Sequence, residues 1–141
     1  MRIWHVDLIP YLPRTQLLAQ WRELNSIFKK QDKHILINYI YDYGKGFLYN
    51  YARQIVEEME KRKFKIKSFE NFDNYFNTMV ENKYFKKWHD FNSMFEEHNK
   101  EYLTICYYNL KEKYLRGQKD FTKDTWEKLN KFYKTQLGIG E

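Results

Sequence analysis

No proline follows Pro13 in this chain of 141 residues, and only five glycines occur in it. Proline and glycine are the strongest local punctuators of chain direction. With so few of them, long stretches run unbroken, and helices joined by short loops meet that condition best. A sheet would need frequent turns separating β-branched runs. The only such run is Ile35-Leu36-Ile37, and it is short. The expectation is an all-α fold: one compact domain over residues 1–141, with about three main helices and some shorter ones.

Apolar spacing places the helices. Leu17, Trp21, Leu24 and Phe28 recur along one face of a 3.6-residue period, predicting a helix over about 13–30 with Pro13 in its first turn. Leu48, Tyr51, Ala52, Ile55 and Met59 predict a second over about 46–63. Its acids Glu57, Glu58 and Glu60 precede Lys61, Arg62 and Lys63, an order that suits the helix dipole. Leu103, Cys106, Tyr107, Leu110 and Tyr114 predict a third over about 94–116, ending before Gly117. Trp126, Leu129 and Phe132-Tyr133 mark a shorter helix over about 122–135, with Thr122 or Asp124 at its start. Between them, Phe69, Phe72, Phe76 and Met79, then Phe85, Trp88, Phe91 and Phe95, have the spacing of two short helices.

Composition narrows the function. Apolar residues make up 43% of the chain and aromatics 20%, enough for a core. Lys and Arg number 25 against 19 Asp and Glu, a net charge of +6 that favours an anionic partner such as nucleic acid. The lone Cys106 excludes a disulfide framework and a cysteine zinc site, and it fits a reducing, cytoplasmic setting. His5, His34, His89 and His98 have no helical pairing and no cysteine companion, so no metal or other cofactor is expected. No apolar run approaches the ~18 residues of a membrane span, and His5, Asp7, Pro10 and Pro13 interrupt any leader-like segment. Neither a Gly-rich phosphate loop nor a nucleophile elbow is present.

Taken alone, the first helix offers little chemistry. With Leu17, Trp21, Leu24 and Phe28 facing inward, a step of about 100° per residue puts Glu23 on the far side, with Gln16 and Lys30 on its stripe and Arg22 beside it. Periodicity reads Glu23 there as an ordinary surface carboxylate. His34, Asn38 and Tyr41, and the basic run from Lys61 to Lys67, are further candidates to face nucleic acid.

Other features carry more. The chain opens Met1-Arg2-Ile3, and residues 21–24 read Trp21-Arg22-Glu23-Leu24. This pairing, with the apolar positions from Leu8 to Phe28, resembles the pyrimidine dimer DNA glycosylases of the phage endonuclease V type. The stretch from Trp4 to Arg14 is similar to a bacterial branch of that family. Phe47-Leu48 and the segment from Arg53 to Ile66 resemble the family's second helix, and Leu110 to Lys113 are similar to part of its third.

The resemblance implies a DNA repair enzyme that removes a damaged base and then nicks the abasic strand. It implies an amino-terminal nucleophile, here Met1, because the bulk of Arg2 should block removal of the initiator residue. An α-amino group titrates near ~8 and a lysine near ~10.4, so a chain terminus is the readier nucleophile at neutral pH. Glu23 falls at the family's catalytic glutamate, and Arg2 and Arg22 become phosphate contacts. Arg14, Gln16, Lys29, Lys30 and Lys113 form the next layer of DNA-binding candidates. The chain departs from the family pattern at Gln16, where the family has His, and at Ser26 and Asn109, where it has Arg. The implied partner is double-stranded DNA, bound by a monomer. Dimers, ring-opened purines and bare abasic sites all fit as substrates. Two other readings of the same residues stay open: a non-catalytic DNA-binding protein on this scaffold, and a helical protein-interaction module.

Overall fold

The computed structural model describes residues 1–80 and 93–138. Within them the secondary structure is entirely helical: a 3-10 helix at Val6–Tyr11, α1 at Arg14–Lys30, a 3-10 helix at Asn38–Asp42, α2 at Lys45–Lys61, α3 at Glu70–Val80, α4 at Lys100–Leu115 and α5 at Lys123–Gln136. The expected all-α class is observed. The second of the two short helices read between α2 and α4, over Phe85, Trp88 and Phe91, lies outside the described residues, as do residues 139–141. The chain packs as two compact units, one of Met1–Ile3 with Leu18–Phe95, the other of Trp4–Leu17 with Glu96–Glu141.

The first unit holds most of α1, with α2 and α3. Leu24, Ile27, Phe28, Leu48, Tyr51, Ala52, Ile55, Val56, Met59, Phe72 and Phe76 are all buried, so the spacing that predicted the helices is also the spacing that fills this core. Phe28 meets Phe72 and Phe76 edge-on, at centroid distances of 5.7 and 5.2 Å. Such edge contacts join the positive rim of one ring to the negative face of another. Gly44 caps α2 without a side-chain bond. The one β-branched run forms a turn rather than a strand: Ile37 is fully buried while Ile35 is 86% exposed.

In the second unit the aromatic rings stack. Tyr107 lies 3.7 Å from Tyr133 with the rings almost parallel, and Trp126 stacks on Tyr114 at 5.0 Å. Thr122 caps α5 by accepting the Thr125 N–H. Helix α4 starts at Lys100 rather than near 94, because the Asn99 side chain accepts the Tyr102 N–H and so fixes the N-cap there. The preceding His98 is committed elsewhere, its Nδ1 accepting the Val6 N–H at 3.0 Å. Burial, with a smaller contribution from neighbouring His5, pushes the His98 imidazole down to about 3, which keeps that nitrogen an acceptor at neutral pH.

Pro13 is the residue before α1 rather than part of its first turn, and its carbonyl accepts the Leu17 N–H at 3.0 Å. Proline has no side-chain acceptor for the exposed amides of a helix start. Asp120 supplies one from the loop before α5, accepting the Thr15 N–H at 2.6 Å. Gln118 donates to Asp120 (2.8 Å) and to Gln16 (2.7 Å), closing the arrangement. Burial pushes the Asp120 carboxyl up, but the bonds from Thr15 and Gln118 together outweigh it and hold the group below its ordinary 3.8.

Asp120→Ala should therefore cost about 1 kcal/mol, the usual worth of a helix cap. A carboxyl with a depressed folded value stabilises above its unfolded value and loses that effect as pH falls through the folded one. Urea unfolding should show the full gap between wild type and variant at neutral pH, and the gap should close below pH 3.8.

Candidate active site

The first unit also holds the chain's opening residues. Gln20 and Glu23 are three residues apart on α1, so they share a face. That face is not solvent: Gln20 is fully buried, and so is Ile27 one turn beyond Glu23. A buried amide must have its hydrogen bonds met, and Gln20 meets them with three segments of the chain. Its Oε1 accepts from the Tyr51 hydroxyl on α2 at 2.9 Å. Its Nε2 donates to the Arg2 carbonyl at 3.1 Å and to Glu23 Oε1 at 3.3 Å.

The opening segment is thereby fixed along α1. Ile3 is fully buried and anchors it by apolar contact, while Gln20 holds the Arg2 carbonyl and the Arg2 N–H donates to the Glu23 carboxylate. Met1 stays at the surface, 38% exposed. Glu23 is half-buried, and burial raises its pKa above the ordinary 4.5. The amino-terminal ammonium, the Arg2 N–H and the Arg22 guanidinium each pull the other way, and burial wins. The amino-terminal group and the half-buried Glu23 carboxyl thus interact electrostatically at the surface end of a buried polar network. Amines can act as nucleophiles and carboxyls as acid–base groups.

Met1, Arg2, Arg22 and Glu23, named from the sequence, come together here. The surface role that periodicity gave Glu23 is corrected, because α1 is buried around more of its circumference than its apolar stripe indicates. Lys29 and Lys30 are exposed on the last turn of the same helix. Arg14, Gln16 and Lys113 belong to the other unit. Arg14 is exposed and Lys113 half-buried, but Gln16 is buried and takes the Gln118 amide, which removes it as a surface contact for DNA. Ser26 bonds the Asp32 carboxylate, and the Asn109 amide bonds back to the Ile105 carbonyl of its own helix. Among the described residues no three His, Cys, Asp or Glu side chains are grouped to hold a metal ion, and no helix is long and apolar enough to cross a membrane.

Two residues of the network, Gln20 and Tyr51, escaped the reading of the sequence. The signal was a polar series at Gln16, Gln20 and Glu23, with the four- and three-residue steps of a helix face, on a side that Ile27 also occupies.

Residues 1–71 match the family model for pyrimidine dimer DNA glycosylase, and the chain belongs to that family. Comparison with curated proteins and with solved structures returned no match. The matched stretch contains Met1, Arg2, Gln20, Arg22, Glu23 and Tyr51, the whole of the network.

Two expected outcomes follow from the geometry. Gln20→Leu removes the bonds that the amide makes to the Tyr51 hydroxyl, the Arg2 carbonyl and Glu23, and should cost about 2–4 kcal/mol in urea unfolding. Glu23→Gln should behave oppositely. A carboxyl whose folded pKa is raised favours folding at low pH and loses that contribution as pH rises through the folded value. At neutral pH the variant should melt at the same temperature as wild type or higher, and its advantage should fade as pH falls towards 4.5.

Proposed function

We propose that this chain is a glycosylase with abasic-site lyase activity on double-stranded DNA, working as a cytoplasmic monomer through a Schiff base on the Met1 amine. The observation that carries the reading is the Arg2–Gln20–Glu23 network, which ties the amino terminus to a carboxyl of raised pKa. Family membership supplies the DNA lesion as the class of substrate.

In this mechanism the neutral Met1 nitrogen forms a bond to C1′ of the damaged nucleotide. The C1′–base bond breaks and its electron pair leaves with the base, which takes up a proton. The attached nitrogen then gives up one proton, and its lone pair opens the sugar ring as O4′ takes up a proton, leaving an iminium at C1′ that keeps one N–H. Loss of a C2′ proton expels the 3′ phosphate, which breaks the strand, and water returns the amine to its starting form. Glu23 carries the protons: its acid form delivers one to the departing base or to O4′, and its carboxylate stabilises the cationic sugar and accepts the next. Raised by burial, it holds a proton at a higher pH than an exposed glutamate does. Arg2 and Arg22 take the phosphates beside the lesion, and Lys29 and Lys30 extend the contact along α1. Arg14 and Lys113 complete the proposed set; Gln16, engaged by Gln118, is not in it.

Borohydride reduction on a duplex with one abasic site tests this, with the protein's terminus checked by mass spectrometry. Wild type should give a covalent adduct that selective acetylation of the α-amine abolishes. Glu23→Gln should lower adduct formation by a factor of about 10²–10⁴, the range of a lost general acid–base, and leave duplex affinity within about twofold. No adduct from protein with an unblocked amine would identify a binding protein on the same scaffold. Affinity that ignores salt would point instead to a protein-interaction module.

A further inference from the structure

The turn that follows α1 is built to display two apolar side chains. The chain leaves the helix through Gln31, in the left-handed region at φ 52°, with its N–H on the Ile27 carbonyl at 2.8 Å. From His34 to Asn38 it closes on itself. The His34 N–H donates to Asn38 Oδ1 at 2.7 Å, and the Asn38 N–H returns to the His34 carbonyl at 2.9 Å. The Leu36 N–H donates to His34 Nδ1 at 3.1 Å, and the Ile37 N–H to the His34 carbonyl at 2.9 Å.

The base of the turn is anchored as firmly. Ile37 and Ile40 enter the core. The Asp32 carboxylate holds the Ser26 hydroxyl, and the Asp32 carbonyl accepts from Tyr41 at 2.6 Å. Above this platform Ile35 is 86% and Leu36 42% exposed.

A single exposed apolar residue is ordinary. Two adjacent branched ones at the tip of a turn whose His34, Leu36, Ile37 and Asn38 amides are all engaged are a preorganised projection. Its surroundings are cationic. Lys29 and Lys30 end α1, and the Lys33 ammonium lies 3.8 Å over the Tyr41 ring. The one acid among residues 29–38, Asp32, has its carboxylate on Ser26. Lys30 is seven residues past Glu23, hence on the same face of α1 and about 10 Å further along it.

We propose that Ile35 and Leu36 form a wedge that enters a DNA duplex next to the lesion and unstacks it, while Lys29, Lys30 and Lys33 hold the phosphates on either side. The proposal rests on the DNA-repair reading given above and adds to it the element that opens the helix. Attack on C1′ is helped by opening and kinking the duplex at the lesion, and apolar side chains pushed between base steps are a known physical means of doing so. A rigid tip suits that task, because little order is lost when it inserts. Charge decides for DNA over a protein partner, as does size: two side chains fall far short of the ~800 Å² that a stable protein interface covers on each side.

The test uses the full chain, with Ile35→Ser/Leu36→Ser as the disrupting variant and Ile35→Met/Leu36→Met as the apolar rescue. All four replacements lie at exposed positions, and thermal melting confirms folding. The probe is a duplex with 2-aminopurine beside a tetrahydrofuran abasic analogue, which binds without reacting. Wild type should raise the 2-aminopurine fluorescence. The serine variant should lose most of that rise and bind the duplex at least tenfold more weakly, and the methionine variant should restore both. Borohydride trapping on single-stranded abasic DNA, which has no stack to open, should be equal for all three. A flat fluorescence signal with wild type overturns the wedge, as does a serine variant matching wild type on the duplex. Absence of any trapped adduct from wild type would instead overturn the lyase reading, while the fluorescence still decides the wedge.

Discussion

One buried amide decides where the chain begins in space. Gln20 is fully enclosed, and its oxygen and nitrogen are bonded to a tyrosine on α2, to the Arg2 carbonyl and to Glu23. An unsatisfied amide in that position would be costly, so each partner is held by the penalty of losing it as much as by the bond itself. The tyrosine contributes from within the core, where Tyr51 is fully buried among Leu48, Ala52 and Ile55 on α2. The apolar packing of the helices is thus transmitted, through one hydroxyl and one amide, to the backbone of the second residue of the chain. A terminal segment is ordinarily poorly fixed unless something ties it down. Here Ile3 in the core and Gln20 at the Arg2 carbonyl do so.

The same network sets the state of Glu23. A carboxyl on an open helix face would be ionised and solvated at neutral pH. Drawn half into the protein beside Gln20, Glu23 loses solvation, which raises its pKa, and the amino terminus and Arg22 recover only part of the loss. The folded state bears that difference, and it leaves a half-buried carboxyl of raised pKa under the electrostatic influence of the amino terminus. The disagreement between burial and charge is what distinguishes this carboxyl from the exposed Glu57 on α2, whose contact is an ordinary helical ion pair with Arg53 at 3.7 Å.

How much of this was legible in the sequence depends on what kind of signal each part sends. Helices α1, α2 and α5 were placed within a residue or two, because an apolar stripe is a direct record of which side faces a core. The start of α4 differs by about six residues, because Asn99 sets it with a side-chain hydrogen bond that leaves no mark in hydropathy. Ile35-Leu36-Ile37 has the composition of a strand and is a turn, since only Ile37 has a core to enter. Gln16 and Gln20 were opaque for a common reason. Both are polar and both are buried, and an inward-facing glutamine is recognised by its partners, which come from distant parts of the chain: Gln118 for the first, Arg2 and Tyr51 for the second. Glu23 itself was legible only through the resemblance of residues 21–24 and 1–3 to a family, never through periodicity.

The helix that bears the site is also the element that runs through both compact units. Its first turn lies in the unit of Asp120 and Gln118, and the rest lies in the unit of Arg2 and Tyr51. The family match ends at residue 71, yet the amide of Thr15 is capped by a carboxylate at position 120 and Gln16 is held by a side chain at position 118. Pro13 explains why. It sets the direction of the chain into the helix but brings no acceptor of its own, so the acceptor has to arrive from elsewhere. The residues beyond the match therefore do structural work for the matched segment. They fix where α1 begins.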